Sequence, residues 1–455
     1  MTPLTMSHKG FKAYDIRGVI PEEVNEDLAY RVGRAYADLY HPARVALGRD
    51  MRLSSEAIAA AVAQGLMDGG ADVMDIGLCG TEMMYFATFY YELSGGVMVT
   101  ASHNPSNHNG LKLVGKGGVP IGEDSGLKDI ESLAFSGEFQ DAARRGTVSE
   151  KDVTEDYVSH ILTYCDPSAM KPLKIVVNAG NGCAAIAFKP LAKHLPFEFV
   201  EMNMTPDGTF PHGVPNPMLE ENRAPTIEKV KETHADMGIA WDGDFDRCFF
   251  IDEKGHFVEG YYMVGLLAGY MLKKHPGEII VHDPRCWWNT TDIVAAAGGR
   301  AQISKGGHAF MKETMRRVGA VYGAEMSAHH FFRDFSYCDS GMIPWLIVAE
   351  IISRTGKSLS ALIGEAEAAY PCSGEINLPA HDVEKTLATL EAHYAKEAKD
   401  ISHLDGLGMD FGNWHFNLRP SNTEPLIRFN METRGDRTLL AEKQKEIIDF
   451  VQAID

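Results

Sequence analysis

Val97-Met-Val-Thr-Ala-Ser-His-Asn-Pro-Ser-Asn-His-Asn-Gly-Leu-Lys-Leu113 is the stretch on which the reading of the chain turns. Val97, Met98 and Val99 suit a short buried strand. The chain then breaks into small polar residues, and Asn104-Pro105 and Asn109-Gly110 mark turns. Ser102 therefore stands just beyond a strand end, on a loop, where open α/β sheets bind ligands. A serine so placed is a candidate nucleophile if a neighbour activates it. Taken alone, the stretch reads equally well as a polar turn with no chemistry.

Working outward, the flanking sequence alternates strand and helix. Val45–Leu47 reads as a strand, and Ser54 or Ser55 caps an Ala-rich helix through Met67 that Gly69-Gly70 stops. Asp72–Ile76 and a helix around Met83–Tyr91 follow. Such alternation implies a largely parallel sheet. A second unit opens at Lys174–Asn178 and closes with Met237–Ala240 running into Asp242. A third has Glu278–Val281, Ala301–Ile303 and Val321-Tyr322, the last leading to Glu325. The tail differs: Phe411–Arg419 and Leu426–Glu432 read as antiparallel strands, and Leu439–Ile454 as an amphipathic helix. The polar 395–409 region is expected to be a loop at most. The expected fold class is α/β: three related α/β domains with mixed, largely parallel sheets plus a C-terminal α+β domain, around a central cleft. The boundaries fall at 1–148, 149–254, 255–368 and 369–455.

The other loops at strand ends carry chemistry. Asp242, Asp244 and Asp246 alternate, so an extended backbone puts three carboxylates on one face. Three such groups repel unless a cation sits among them, and hard oxygen ligands favour Mg²⁺ over zinc. With Glu253 they also fit a calcium-binding loop, except that Arg247 stands where glycine is needed and Phe249-Phe250-Ile251 is no helix start. Arg247 follows these aspartates directly and Lys112 lies in the Ser102 stretch, so both bring positive charge to the candidate loops. Glu325, Ser327 and His329 share a polar turn; His329 and His308 are candidates for proton transfer or phosphate contact. His103 and His330 are read as structural, or as supporting neighbouring site residues. Arg419, Ser421, Asn422 and Thr423 combine a forked cation, hydroxyls and turn N–H groups, which make an anion nest.

Composition narrows the function classes. A formal net charge of −20 argues against general nucleic-acid binding. It fits an anionic substrate only if cations gather locally, and Arg17, Lys112, Arg247, Arg285, Lys305 and Arg419 all lie in or near the candidate loops. The chain is long enough for about three domains. Its seven cysteines are odd in number and lack a CxxC pair, a pattern that suits reduced thiols. No signal-peptide core or membrane-length apolar run is present, so a cytoplasmic protein with no membrane or nucleic-acid partner is expected.

Thr100–Pro105, Asp242–Arg247, Glu325–His330 and Arg419–Pro425 together resemble, in order, the four signature loops of the α-D-phosphohexomutases. The resemblance runs from Phe11–Gly18 to the last helix and is closest to the bacterial phosphomannomutase branch. It implies one Mg²⁺ per chain, held by the three aspartates and an oxygen of phosphorylated Ser102, and a hexose 1,6-bisphosphate as intermediate and activator. It also implies that Glu325 and Ser327 hold sugar hydroxyls and that the Arg419 loop grips the phosphate not being transferred. Arg17 would orient Ser102 or its phosphate. The implied substrates are mannose 6-phosphate and mannose 1-phosphate, with glucose phosphates second, in a monomer or homodimer. Ala324 departs from the family's usual glycine, which leaves that loop's backbone open. Two rivals stand: a haloacid-dehalogenase-type phosphatase with Asp242 as nucleophile and Asp244 as acid/base, and a non-catalytic sugar-phosphate binder.

Overall fold

The computed structural model describes residues 1–420 and 426–454. The chain divides into two compact units: residues 1–257 with 334–356, and residues 258–333 with 357–455. No helix among the described residues is long and apolar enough to cross a membrane.

The first unit holds two sheets. In one, the strands run edge to edge as Ile16–Val19, His108–Gly115, Gly95–Val99, Arg44–Arg49, Asp72–Leu78 and Val148–Glu150. The last four are parallel, and His108–Gly115 is antiparallel to both its neighbours. Gly95–Val99 is buried at every residue, as its unbroken apolar run requires of a strand covered on both faces. The helix Ser55–Asp68 ends at Gly69 and Gly70, the latter at φ 90°. The second sheet orders Cys248–Asp252, Met237–Trp241, Lys174–Asn178 and Glu198–Met202, with the first of these antiparallel. Residues 334–356 pack into this unit: Trp241 Nε1 donates to the Gly341 carbonyl at 2.9 Å, and Glu82 receives the Ser340 hydroxyl and the Gly341 and Met342 N–H groups.

The second unit also holds two sheets. Ile279–His282 lies between the parallel strands Arg300–Ile303 and Tyr322–Ala324, and His330–Phe332 pairs antiparallel with the latter. The C-terminal sheet is wholly antiparallel, in the order Ile376–Pro379, Leu426–Thr433, Trp414–Pro420, Leu407–Asp410 and Asp400–Ser402. Helices Val383–Tyr394 and Arg437–Ile454 cover it over a core that includes Phe416, Leu418, Phe429 and Ile447. Phe411 stacks on Trp414 with centroids 3.8 Å apart, a contact worth about 0.5–1.5 kcal/mol beyond its area.

Two expectations are corrected. Asn109-Gly110 is not a turn but the start of a strand, paired with Gly18 and Arg17. The glycine is needed for closeness, since a Cβ at Gly110 would lie 2.0 Å from the Ile16 carbonyl oxygen. Asn109 turns its amide onto Ser54 and Ser55, at 2.8 and 2.9 Å. The 395–409 region is not bare loop: Asp400–Ser402 is an edge strand paired with Leu407–Asp410, an inner strand whose first three residues fall in the region. Its polar composition hid the edge strand, which pairs on one side only.

Candidate active site

In the first unit the Ser102 loop is a connection between the antiparallel strands Gly95–Val99 and His108–Gly115. Ser102 itself sits at φ 49°, a left-handed conformation that costs a serine about 1 kcal/mol or more and persists only when its surroundings enforce it. The enforcement is visible. Arg52 donates to the carbonyls of Ser102, Asn104, Pro105 and His108 at 2.6–2.9 Å, and Ser102 N–H donates to Thr100 Oγ1 at 2.9 Å. Arg17 reaches Asn104 Oδ1 at 3.0 Å and is itself held by Asp15 at 2.5 Å. Sequence reading missed Arg52; its place just past the strand Arg44–Arg49, at the same sheet end as Ser102, was the available signal.

Ser102 Oγ–H donates to Asp242 Oδ2 at 2.8 Å and lies 3.1 Å from His103 Nδ1. Asp242, Asp244 and Asp246 converge, with one oxygen from each within 4.8 Å of the others. They do so through a turn, not along the extended backbone that the alternation suggested. Phe245 N–H returns to the Asp242 carbonyl at 3.2 Å, and buried Phe245 takes φ 46°. Gly243 belongs to that turn because a Cβ there would meet the Ser102 carbonyl oxygen at 2.4 Å.

The cations here are already engaged. Lys112 Nζ lies 2.8 Å from Asp244 Oδ2 and 2.6 Å from Asp246 Oδ2. Burial works to lower its pKa, and the two carboxylates outweigh that and raise it. Arg247 donates to Asp242 Oδ2 from Nε at 3.0 Å and from Nη2 at 2.9 Å, and its Nη2 also reaches His103 Nδ1 at 2.5 Å. A guanidinium only donates, so this geometry makes His103 Nδ1 an acceptor. His103 thus supports Ser102 and Arg247, one of the two roles read for it from sequence. Burial, opposed by Arg247 but helped by Asp246 and Asp244, pushes the Asp242 carboxyl up to about 7. Asp244 Oδ1 is buried with no hydrogen-bond partner among the described residues. An orphaned carboxylate oxygen and a surplus of negative charge in an all-oxygen set fit a hard divalent cation.

The remaining candidates lie in the second unit. Glu325 follows the strand Tyr322–Ala324, in which Ala324 serves without a left-handed backbone. Its Oε1 accepts the Gly307 N–H at 2.5 Å and its Oε2 lies 3.2 Å from His329 Nδ1, which is also 3.2 Å from Ser327 Oγ. Burial would raise the Glu325 carboxyl, but His329, Arg285 and the Gly307 N–H hold it down at about 2. The Lys305–His308 segment enters the helix His308–Val318 through Gly307 at φ 115°, and exposed Lys305 places its ammonium 4.8 Å from the Phe310 ring centroid. His330 is fully buried, bonds the Tyr322 hydroxyl through Nδ1 at 2.7 Å and is held neutral by burial, its pKa pushed down to about 3.

Arg285 is held by Asp283, which accepts its Nε at 3.0 Å, its Nη2 and its backbone N–H; the same carboxylate takes the Met326 N–H at 3.1 Å. One buried aspartate therefore fixes both Arg285 and the Glu325–Ser327 turn. Glu375 accepts from Arg285 at 3.1 Å and lies 3.5 Å from Arg419. Asp405 Oδ2 takes the Gly306 N–H at 3.2 Å. Asp283, Glu375 and Asp405 were not singled out from sequence; only the Asp283-Pro-Arg285 spacing carried a local signal. Ser421, Asn422 and Thr423 lie outside the described residues.

Four family models match in order: phosphoglucomutase/phosphomannomutase alpha/beta/alpha domain I over residues 8–141, domain II over 155–255, domain III over 259–370 and the C-terminal domain over 375–450. A phosphomannomutase of Salmonella montevideo is 53% identical over 451 residues, covering 97% of this chain and 99% of its own. A solved phosphoglucomutase/phosphomannomutase family protein of Burkholderia thailandensis is 32% identical at TM-score 0.89, covering 99% of this chain and 98% of its own. The Aspergillus fumigatus N-acetylphosphoglucosamine mutase, solved in complex with GlcNAc-6P and magnesium, shares the fold at TM-score 0.57 and 13% identity, over 99% of this chain and 96% of its own. The chain belongs to the phosphoglucomutase/phosphomannomutase family.

Proposed function

We propose that the chain is an isomerase that interconverts mannose 6-phosphate and mannose 1-phosphate, with Ser102 as the phosphate carrier and a hexose 1,6-bisphosphate as intermediate. The observation that carries the reading is Ser102, held at φ 49° with its Oγ 2.8 Å from Asp242 of the aspartate trio. A phosphatase that uses Asp242 as nucleophile needs no clamped serine, and a mere binder needs no acidic trio.

In the cycle, the phosphorus–Oγ bond of phospho-Ser102 breaks as a bond forms to the free hydroxyl oxygen of the hexose phosphate. The proton released from that hydroxyl passes to a base, the role given to His329, which Glu325 and Ser327 orient; His308 is the alternative. As it leaves, Ser102 Oγ takes up a proton through Asp242, which accepts that hydroxyl's hydrogen bond. In the second half Asp242 takes the proton back as Oγ bonds the other phosphoryl group of the bisphosphate, and His329 returns its proton to the sugar oxygen whose phosphorus bond breaks. Asp242, Asp244 and Asp246, with an oxygen on Ser102, would hold Mg²⁺, which when bound neutralises charge on the transferring group. Arg247, Lys112 and Arg17 stabilise and orient the phosphoryl oxygens. Glu325 and Ser327 receive sugar hydroxyls, while Arg285, Lys305, Arg419, Ser421, Asn422 and Thr423 receive the phosphate that stays. The site's chemistry suits small hexose phosphates, and the reduced cysteines a cytoplasmic setting.

Assay of mannose 1-phosphate, glucose 1-phosphate and glucosamine 6-phosphate side by side tests the reading. Turnover of mannose 1-phosphate with little of glucosamine 6-phosphate is expected, since Met326 offers an amino group no polar partner. A preference for the amino sugar overturns the substrate; turnover of none overturns the activity.

A further inference from the structure

Glu375 immediately precedes the strand Ile376–Pro379, and its side chain is only 14% exposed. Three guanidinium groups converge on it: Arg285 Nη1 at 3.1 Å, Arg428 Nη1 at 3.4 Å and Arg419 Nη2 at 3.5 Å. Burial works to raise the Glu375 carboxyl, but the three arginines together hold it below the usual value, so it stays ionised. Asp283 and Asp405 bring two more carboxylates, the latter 4.0 Å from Arg419 Nη1. Three arginines thus face three carboxylates, an odd balance for a site that receives a dianion.

The contacts are not equivalent. Asp283 grips Arg285 through Nε, Nη2 and the backbone, as a fixed positioning partner does. Two of the three Glu375 contacts, at 3.4 and 3.5 Å, are well beyond the roughly 2.7–2.9 Å of a strong charge-assisted bond. Moreover, Arg419 Nε and Arg428 Nε are buried without a hydrogen-bond partner among the described residues. Among the described residues, the cluster therefore holds donors in reserve around a loosely bound anion. A group of bare arginines would hold a phosphate so firmly that release limits turnover, because binding substrate and transition state alike gains no rate.

We infer that the Glu375 carboxylate is an internal competitor anion, which occupies the Arg285–Arg419–Arg428 cluster when no sugar phosphate is bound and limits how tightly a phosphate is held there. The inference rests on the reading that Arg285 and Arg419 receive the substrate's phosphate. It adds Arg428 to that group and gives Glu375 a role opposite to that of a binding residue.

Calorimetric titration of the full chain with inorganic phosphate, alongside steady-state kinetics, tests it. Like charges across a binding surface cost affinity, so Glu375→Gln should bind phosphate at least about tenfold more tightly, or ~1.4 kcal/mol. Its KM and kcat should fall together, and Glu375→Asp, which keeps the charge, should stay near the parent. Phosphate should also raise the thermal midpoint of Glu375→Gln more than that of the parent. If the glutamine variant does not fold, Glu375→Ser is read in the same way. Binding that is unchanged or weaker without the carboxylate overturns the inference. Arg419→Gln separates this from failure of the underlying reading: loss of phosphate binding there upholds the reading, and unaltered binding overturns both.

Discussion

Ser102 is held by what surrounds it, and the surroundings show why a serine can serve there. Its Oγ–H has a carboxylate acceptor in Asp242, which two nitrogens of Arg247 hold in place. The trio is as buried as the core: Asp242 and Asp244 have no exposed surface. Asp244 bonds Lys112 at 2.8 Å and Thr81 at 2.5 Å, so it is a structural residue as well as a candidate ligand. Asp244→Asn should accordingly reduce Mg²⁺-supported turnover at least about 100-fold, the most that loss of a group merely orienting a metal ligand costs. It should also cost about 1–3 kcal/mol of stability through the broken charged network. Turnover against Mg²⁺ concentration, with an excess-chelator control, checks the first part and denaturant unfolding the second. Full activity in chelator would remove the metal from the account.

At the scale of the element, each loop owes its shape to strands that were legible and to partners that were not. The hydrophobic runs at Val97–Val99, Lys174–Asn178 and Met237–Ala240 announced their strands, and the polar residues at their ends announced the loops. Arg52 did not stand out, because its acceptors are carbonyls 50 to 56 residues away, and backbone acceptors leave no trace in sequence. Glu375 was equally silent, lying 90 residues from Arg285. His330 was readable as structural, and its strand gives a pH prediction. Buried and neutral, with a pKa near 3, it stays unprotonated in the folded chain while the unfolded chain gains a proton below about pH 6.5. Its contribution is present in full above that pH and falls as the pH drops towards 3, by about 1.4 kcal/mol per pH unit. Between pH 6.5 and 5 the parent should lose roughly 2 kcal/mol that His330→Gln does not lose. Urea unfolding of both at the two pH values measures it, and parallel losses would refute it.

For the molecule as a whole, the net charge of −20 and an anionic substrate are reconciled locally, though not by free cations. Arg247 is paired with Asp242, Lys112 with Asp244 and Asp246, and Arg285 with Asp283, so positive charge is fixed in place by buried carboxylates. The order of the four loops carried the family from sequence because each combines a strand end with a chemically specific residue set. Asn109-Gly110 misled for the converse reason: a turn-like pair was there to let two strands approach, which only the sheet's register reveals. The central claim, a phosphate carried on Ser102, is tested most directly by exposing the chain to hexose 1,6-bisphosphate bearing radioactive phosphate and locating the label. Label on Ser102 that survives hydroxylamine, as a serine ester does, is expected, with none in Ser102→Ala and a loss in that variant of about 10⁴-fold or more in turnover. Label on Asp242 that hydroxylamine removes, or near-normal interconversion by Ser102→Ala, would contradict it.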